Sequence, residues 1–62
     1  MTLVQIVELA VIRDLNPGDV GQLLIDHDYI RMEDSDDHKT EFIRAIWRRV
    51  QGRDQAQYSN LN

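Results

Sequence analysis

The sequence of 62 residues contains no cysteine. Disulfide bonds, thiol catalysis and cysteine-ligated zinc sites are therefore excluded, and the composition fits a reducing compartment. A chain of this length buries only about 60% of the surface that its unfolded form exposes, so its core is marginal. Small domains without disulfides usually gain stability from a metal ion or a partner chain. We therefore expect one small domain, and a partner chain is one way of stabilising it.

Long hydrophobic runs are also lacking. The apolar run near the N-terminus is interrupted by Gln5 and Glu8, and it is too short to span a bilayer. No basic region precedes it, as a signal peptide would require. We therefore expect a soluble, cytoplasmic protein with no membrane association.

The residues that catalysis requires are scarce. Gly18 and Gly21 do not have the spacing of a phosphate-binding loop. Ser35 lies in a predicted turn and Ser59 near the end of the chain, and neither has a recognisable base beside it. A substrate pocket would also consume most of so small a core. We predict that the protein is not an enzyme and binds no cofactor.

Charge is distributed unevenly along the chain, whose net charge is −4. Residues 1–38 contain nine acidic residues against Arg13 and Arg31, a net charge of −7. Residues 39–62 contain five basic residues against Glu41 and Asp54, a net charge of +3. Such asymmetry between two halves can indicate an interaction surface.

Apolar periodicity and capping residues predict an all-α fold, a compact bundle of three short helices at about 2–15, 17–31 and 36–51. Asn16 and Pro17 are typical of a helix start, and Ser35 or a neighbouring aspartate can cap the third helix. Gly52 is a plausible helix stop. We therefore predict a single helical domain over residues 1–53 and a polar, disordered tail over 54–62.

The apolar faces of these helices exceed what one small core needs. On the first helix, Leu9 and Ile12 lie opposite the broad apolar face to which Val4 and Val7 belong. The second helix has two stripes, one of which includes His27, and this pattern favours a middle helix packed between two neighbours. The third has one stripe (Phe42, Ile43, Ile46, Trp47 and Val50). The excess apolar surface predicts a homodimer.

Arg44, Arg48 and Arg49 are the candidate binding residues of the third helix. Arg44 and Arg48 are four residues apart and so share a face, whereas Arg49 borders the apolar stripe. One reading is purely structural, since cations stabilise the end of a helix and Glu41 is close enough to pair with one of them. The second reading is contact with a protein, because arginine is enriched at binding hot spots. The third is contact with nucleic-acid phosphates.

A helix-turn-helix fits the sequence poorly. Aligning Ala10 with the small residue of that motif places Asp14 where the turn requires glycine. The recognition helix would then be PGDVGQLLIDHD, which has three aspartates and no arginine or lysine. Such a helix is unsuited to a groove lined with phosphates, so we exclude this motif.

Asp34, Asp36 and Asp37 are candidate binding residues at the other end of the third helix. Acidic residues stabilise the start of a helix, which is the simplest interpretation. The run has neither the glycine nor the glutamate of a calcium loop, and we do not predict a metal site. An acidic surface can also occupy a basic groove on a target protein. In size and charge alone, such a protein resembles the small inhibitors that phages and mobile elements make.

These observations favour a small, non-enzymatic module for protein–protein interaction: a regulator, adaptor or inhibitor that binds a partner's surface. The alternative is a nucleic-acid-associated transcriptional regulator that uses the arginines of the third helix. An assembly subunit that mainly self-associates is a third hypothesis.

Overall fold

The structure, a computed structural model, describes the backbone of residues 1–60 and the side chains of residues 1–53. It contains three helices, α1 (Leu3–Ile12), α2 (Pro17–Asp26) and α3 (Asp36–Asn60), and no strand over residues 1–60. The predicted all-α bundle is therefore confirmed. Residues 61 and 62 of the predicted tail lie outside the described residues.

Each helix begins at a residue whose side chain caps it. Thr2 and Gln5 form a capping box, in which each side chain bonds the backbone N–H of the other. Asn16 accepts a hydrogen bond from the N–H of Asp19 at 2.8 Å, and Ser35 accepts one from the N–H of His38 at 3.2 Å. The helix starts predicted at Asn16-Pro17 and Ser35 are therefore confirmed. Both caps satisfy N–H groups that lack a partner within the helix.

The first two helices are shorter than predicted, and both end in a Schellman motif built on an aspartate. Asp14 and Asp28 have positive φ angles of 52° and 64°. At the end of α1, Leu15 N–H donates to the carbonyl of Ala10 and Asp14 N–H to that of Val11. The same pair of bonds recurs at the end of α2. The chain therefore leaves α1 and α2 before the predicted ends at Leu15 and Arg31.

Replacing these aspartates by glycine should stabilise the fold. A side chain in the left-handed region costs about 1–2 kcal/mol, and less than that for aspartate. Part of the gain from glycine is lost because glycine has greater conformational entropy in the unfolded chain. We expect Asp14→Gly and Asp28→Gly each to raise the free energy of unfolding by about 0.5–1.5 kcal/mol. Urea denaturation followed by circular dichroism measures this. Asp14→Ala is the matched control, since it removes the same charge and keeps a Cβ. Equal stability of the alanine and glycine variants would contradict a backbone cause.

The third helix is longer than predicted, because it continues to Asn60 instead of ending at Gln51. Gly52 does not adopt the left-handed conformation of a helix stop, so its interpretation as one is wrong. The predicted disordered tail is accordingly helical from residue 54 to residue 60. Despite its length, α3 is too polar to cross a bilayer, and nothing else within residues 1–60 combines the necessary length and apolarity.

The core is entirely apolar over the described side chains, and α3 is its central helix. Eight residues form the core (Ile6, Val7, Ala10, Val20, Leu24, Ile30, Ile46 and Val50). Both α1 and α2 pack more extensively against α3 than against each other. The prediction that the second helix is the middle one is therefore wrong. His27 was placed on its apolar stripe but is exposed, because α2 ends at Asp26 and His27 is its C-cap.

Candidate functional site: a groove between the first and third helices

An open groove of about 340 Å³ lies between α1 and α3. It is lined by Val4, Val7 and Glu8 of α1 and by Arg49, Gly52 and Arg53 of α3. We call it the α1/α3 groove. A smaller cavity of about 90 Å³, lined by Glu8, Val11, Ile12 and Arg53, continues it along α1.

Apolar side chains in and beside this groove are exposed to solvent. Val4 is 62% exposed and Ile12 is 79% exposed, although Val4 lies on the apolar face predicted to pack. Complete burial of a valine or isoleucine is worth about 1.5–3 kcal/mol relative to exposure, so two such side chains can contribute substantially to binding. Single exposed apolar residues are common, but these two lie one turn either side of Glu8, Val4 in the groove and Ile12 in the cavity that continues it.

Charged side chains form the rim of the groove. Arg53 Nη2 lies 3.2 Å from Glu8 Oε1, and both side chains are about half exposed. An ion pair so exposed contributes only about 0–1 kcal/mol to stability, so its main effect is to place opposite charges on the two walls of the groove. Arg49 adds a second cation, which makes the rim net positive. The groove is therefore suited to a ligand that combines an apolar group with a carboxylate.

Gly52 creates the space between the two arginines. A Cβ atom added at Gly52 would meet no heavy atom within 4 Å, so no neighbour requires a glycine here. Its backbone does not require one either, since no described glycine has a positive φ. A glycine within a helix costs about 0.8–1.0 kcal/mol relative to alanine. The effect of Gly52 on the surface is to leave the α3 wall of the groove open.

The structure divides the three predicted arginines between two surfaces. Arg44 and Arg48 line a shallow depression of about 260 Å³ with Glu41 and Ala45. Among the described side chains no ion pair joins Glu41 to either of them, so the pairing predicted for Glu41 is not found. Arg49 instead lines the α1/α3 groove. The arginines that share a groove are Arg49 and Arg53, and Arg53 was not predicted as a site residue.

The predicted acidic residues lie at the turn before α3 and in its first turn. Asp34 Oδ2 accepts a hydrogen bond from the N–H of Arg31 at 2.8 Å and lies 3.8 Å from His38 Nε2. Asp36 Oδ1 lies 3.7 Å from Lys39 Nζ, and Asp37 is exposed. Within the described side chains, no three histidine, aspartate or glutamate residues are grouped so as to hold a metal ion. Asp34 and Asp36 therefore contribute to local structure.

Apart from Arg49, sequence reasoning predicted none of the residues that line the groove and its extension as site residues (Val4, Val7, Glu8, Val11, Ile12, Gly52 and Arg53). One signal was present, namely that the first helix has more apolar surface than one packing face requires. Gly52 was interpreted as a helix stop, and Arg53 follows that supposed end. The groove thus became visible only once α3 was seen to continue beside α1.

Comparison with models of protein families, with curated proteins and with solved structures finds no match to this chain. No relative therefore indicates a function. The function proposed for the protein therefore rests on the chemistry of the groove and of the surrounding surface.

Proposed function

We propose that this protein is a small, non-enzymatic protein-interaction module whose α1/α3 groove binds the surface of a partner protein. The observation that carries the proposal is the combination of exposed apolar side chains, an arginine rim and the open wall at Gly52. By occupying a partner's surface, the module acts as a regulator, adaptor or inhibitor. The absence of cysteine supports a reducing compartment such as the cytoplasm.

The chemistry of the groove favours one kind of partner surface. Val4 and Ile12 are eight residues apart on α1, about 12 Å along the helix axis, so they can contact two apolar side chains of a partner. Arg49 and Arg53 present planar guanidinium groups that pair well with carboxylates, and arginine is a frequent hot-spot residue. The partner surface therefore consists of apolar side chains with acidic residues beside them.

The second candidate function is nucleic-acid binding through Arg44 and Arg48. The observation in its favour is that both side chains are exposed and line one depression. The net charge of −4 opposes it, since nucleic-acid-binding domains usually have a basic surface. Trp47 is partly buried against the core, so it does not offer a stacking platform for bases.

Capture from an extract of the source cell, followed by titration of the purified captured protein, tests the first proposal. Gly52→Leu fills the groove and replaces glycine by a better helix former, so a loss of binding cannot be attributed to unfolding. We expect this variant to bind at least about tenfold more weakly, the loss that about 1.4 kcal/mol produces. The double variant Arg44→Ala/Arg48→Ala is the matched control and should bind like the wild type. Equal binding by the wild type and Gly52→Leu would refute a role for the groove.

Fluorescence anisotropy of labelled duplex DNA and single-stranded RNA, at low and near-physiological salt, tests the alternative. Phosphate binding weakens steeply as salt is added, through counterion release. Binding that is lost in Arg44→Glu/Arg48→Glu but retained in Gly52→Leu would favour the nucleic-acid function. The protein-interaction proposal predicts no binding at either salt concentration.

A further inference from the structure

The turn between α2 and α3 presents an exposed methionine on a backbone held by hydrogen bonds. Within residues 31–34, Asp34 N–H donates to the carbonyl of Arg31 at 3.0 Å, and Arg31 N–H donates to Asp34 Oδ2 at 2.8 Å. Lys39 Nζ also donates to the carbonyl of Met32 at 3.0 Å. Met32, at the tip of this turn, is 66% exposed. We call residues 31–34 the Met32 turn. Because the backbone is already ordered, it loses little entropy on docking.

The surroundings of Met32 are mainly acidic. Glu33 follows it directly, and Asp28, Glu33 and Arg31 line a depression of about 470 Å³ beside it. Asp34 belongs to the same turn, and α3 begins with Asp36 and Asp37. The Met32 turn therefore combines one apolar side chain with two carboxylates, Glu33 and Asp34, and one cation, Arg31.

This combination matches the α1/α3 groove of the same protein, and we propose that the groove of one copy binds the Met32 turn of a second copy. The methionine side chain, which is unbranched and adaptable, packs against Val4 in the apolar part of the groove. The carboxylate of Glu33 pairs with the arginine rim. Arg53 already pairs with Glu8, so Arg49 is the cation that Glu33 contacts.

The two surfaces cannot meet within one molecule. Arg49 lies 13 residues beyond Asp36, the first residue of α3, which is about 20 Å along the helix axis. Two copies can join through one contact, which leaves one turn and one groove unoccupied, or through two reciprocal contacts, which close a twofold dimer. In either arrangement the average mass rises with concentration. A contact made by one methionine and one ion pair is small, and small interfaces are weak. We expect a dissociation constant of about 0.1–1 mM.

This inference rests on the proposed function, because it assigns a second occupant to the groove that binds the partner. Self-association and partner binding are therefore mutually exclusive at a given groove. At concentrations well below the dissociation constant of self-association, the groove is available to the partner. At higher concentrations the Met32 turn of another copy competes for it.

Sedimentation velocity on the purified chain, from about 0.05 to 2 mM, brackets the expected dissociation constant and tests the inference. The mass of the wild type should rise from that of the monomer to that of a dimer or a larger assembly. Met32→Ala removes the methionine and leaves the groove intact, whereas Gly52→Leu fills the groove and leaves the turn intact; each variant alone should remain monomeric. An equimolar mixture of the two should form a dimer and nothing larger, because one variant supplies the groove and the other the turn.

Further variants and outcomes make the test decisive. Arg44→Ala lies outside the groove and should associate like the wild type, and Arg49→Glu is a second groove variant that does not depend on filling space. Association of Glu33→Arg with Arg49→Glu, when neither associates alone, would support the predicted ion pair. A wild type that stays monomeric would overturn the inference, as would self-association of Met32→Ala equal to that of the wild type. Because no partner is present, these results do not depend on whether the partner is captured.

Discussion

Leu24→Ala is expected to unfold a large fraction of the protein. Leu24 lies on α2, is 0% exposed and is one of the largest fully buried side chains. Replacing a buried leucine by alanine costs about 2–5 kcal/mol through lost burial and the cavity left behind. At about 0.05–0.15 kcal/mol per residue, a chain of 62 residues has a total stability of only about 3–9 kcal/mol. The substitution therefore removes much of the stability, and thermal and urea melts followed by circular dichroism should show it.

Ile12→Ala is the matched control for this experiment. It also removes apolar atoms from a helix, but Ile12 is 79% exposed, so we expect a change below about 0.5 kcal/mol. The two variants together separate burial from helix propensity. A cost below about 1 kcal/mol for Leu24→Ala would contradict a packed core at this position.

Gly21→Leu is expected to be the second most damaging substitution. Gly21 is buried on α2, and a Cβ atom added there would lie 2.9 Å from Ile43 Cδ1 on α3. A leucine must displace more than this one atom, and such overpacking typically costs about 1–3 kcal/mol. The gain in helix propensity, about 0.8–1.0 kcal/mol, offsets only part of that cost. We therefore expect a lower urea midpoint.

The same substitution at Gly52, the exposed glycine of α3, should change stability in the opposite direction. Gly52→Leu meets no neighbouring atom at its Cβ and improves helix propensity, so its urea midpoint should rise. Ile43→Ala makes room beside position 21, and the double variant Gly21→Leu/Ile43→Ala should be more stable than the sum of the two single effects predicts. Additive effects would refute direct contact between positions 21 and 43.

The sequence was sufficient to predict the number of helices and where each begins. Helix starts depend on side chains that bond the backbone within three residues, as Asn16 and Ser35 do, and such local contacts are readable without a structure. The apolar stripe of α3 was equally readable, since Ile46 and Val50 are in the core. These features require no knowledge of how the helices pack.

Helix ends were predicted less well because the residues there are atypical. Both left-handed positions are occupied by aspartate, whereas glycine is the usual signal, so α1 and α2 were extended too far. The glycine that resembles a stop, Gly52, lies inside a helix. Because the second helix was extended to Arg31, His27 was assigned to an apolar stripe, yet it is exposed.

The groove could not have been predicted because it is formed by two helices far apart in the sequence. Glu8 and Arg53 are separated by 45 positions and meet only because α1 packs beside α3. Sequence reasoning grouped Arg49 with Arg44 and Arg48, its neighbours along the chain. The packing of α1 groups it instead with Val4 and Arg53.

Because the core is wholly apolar, the register between α3 and α2 depends on the shapes of the packed side chains. Among the described residues no polar side chain is buried, so no buried hydrogen bond or ion pair fixes the register of α3 against α2. Hydrophobic contacts are not directional, and α3 could slide by one turn and still bury an apolar stripe. The close approach of Ile43 to the space at Gly21 restricts that freedom, because a slide by one turn would bring another residue of α3 against this position. A buried glycine thus contributes to the alignment of the bundle, a role that a buried polar residue has in some coiled coils.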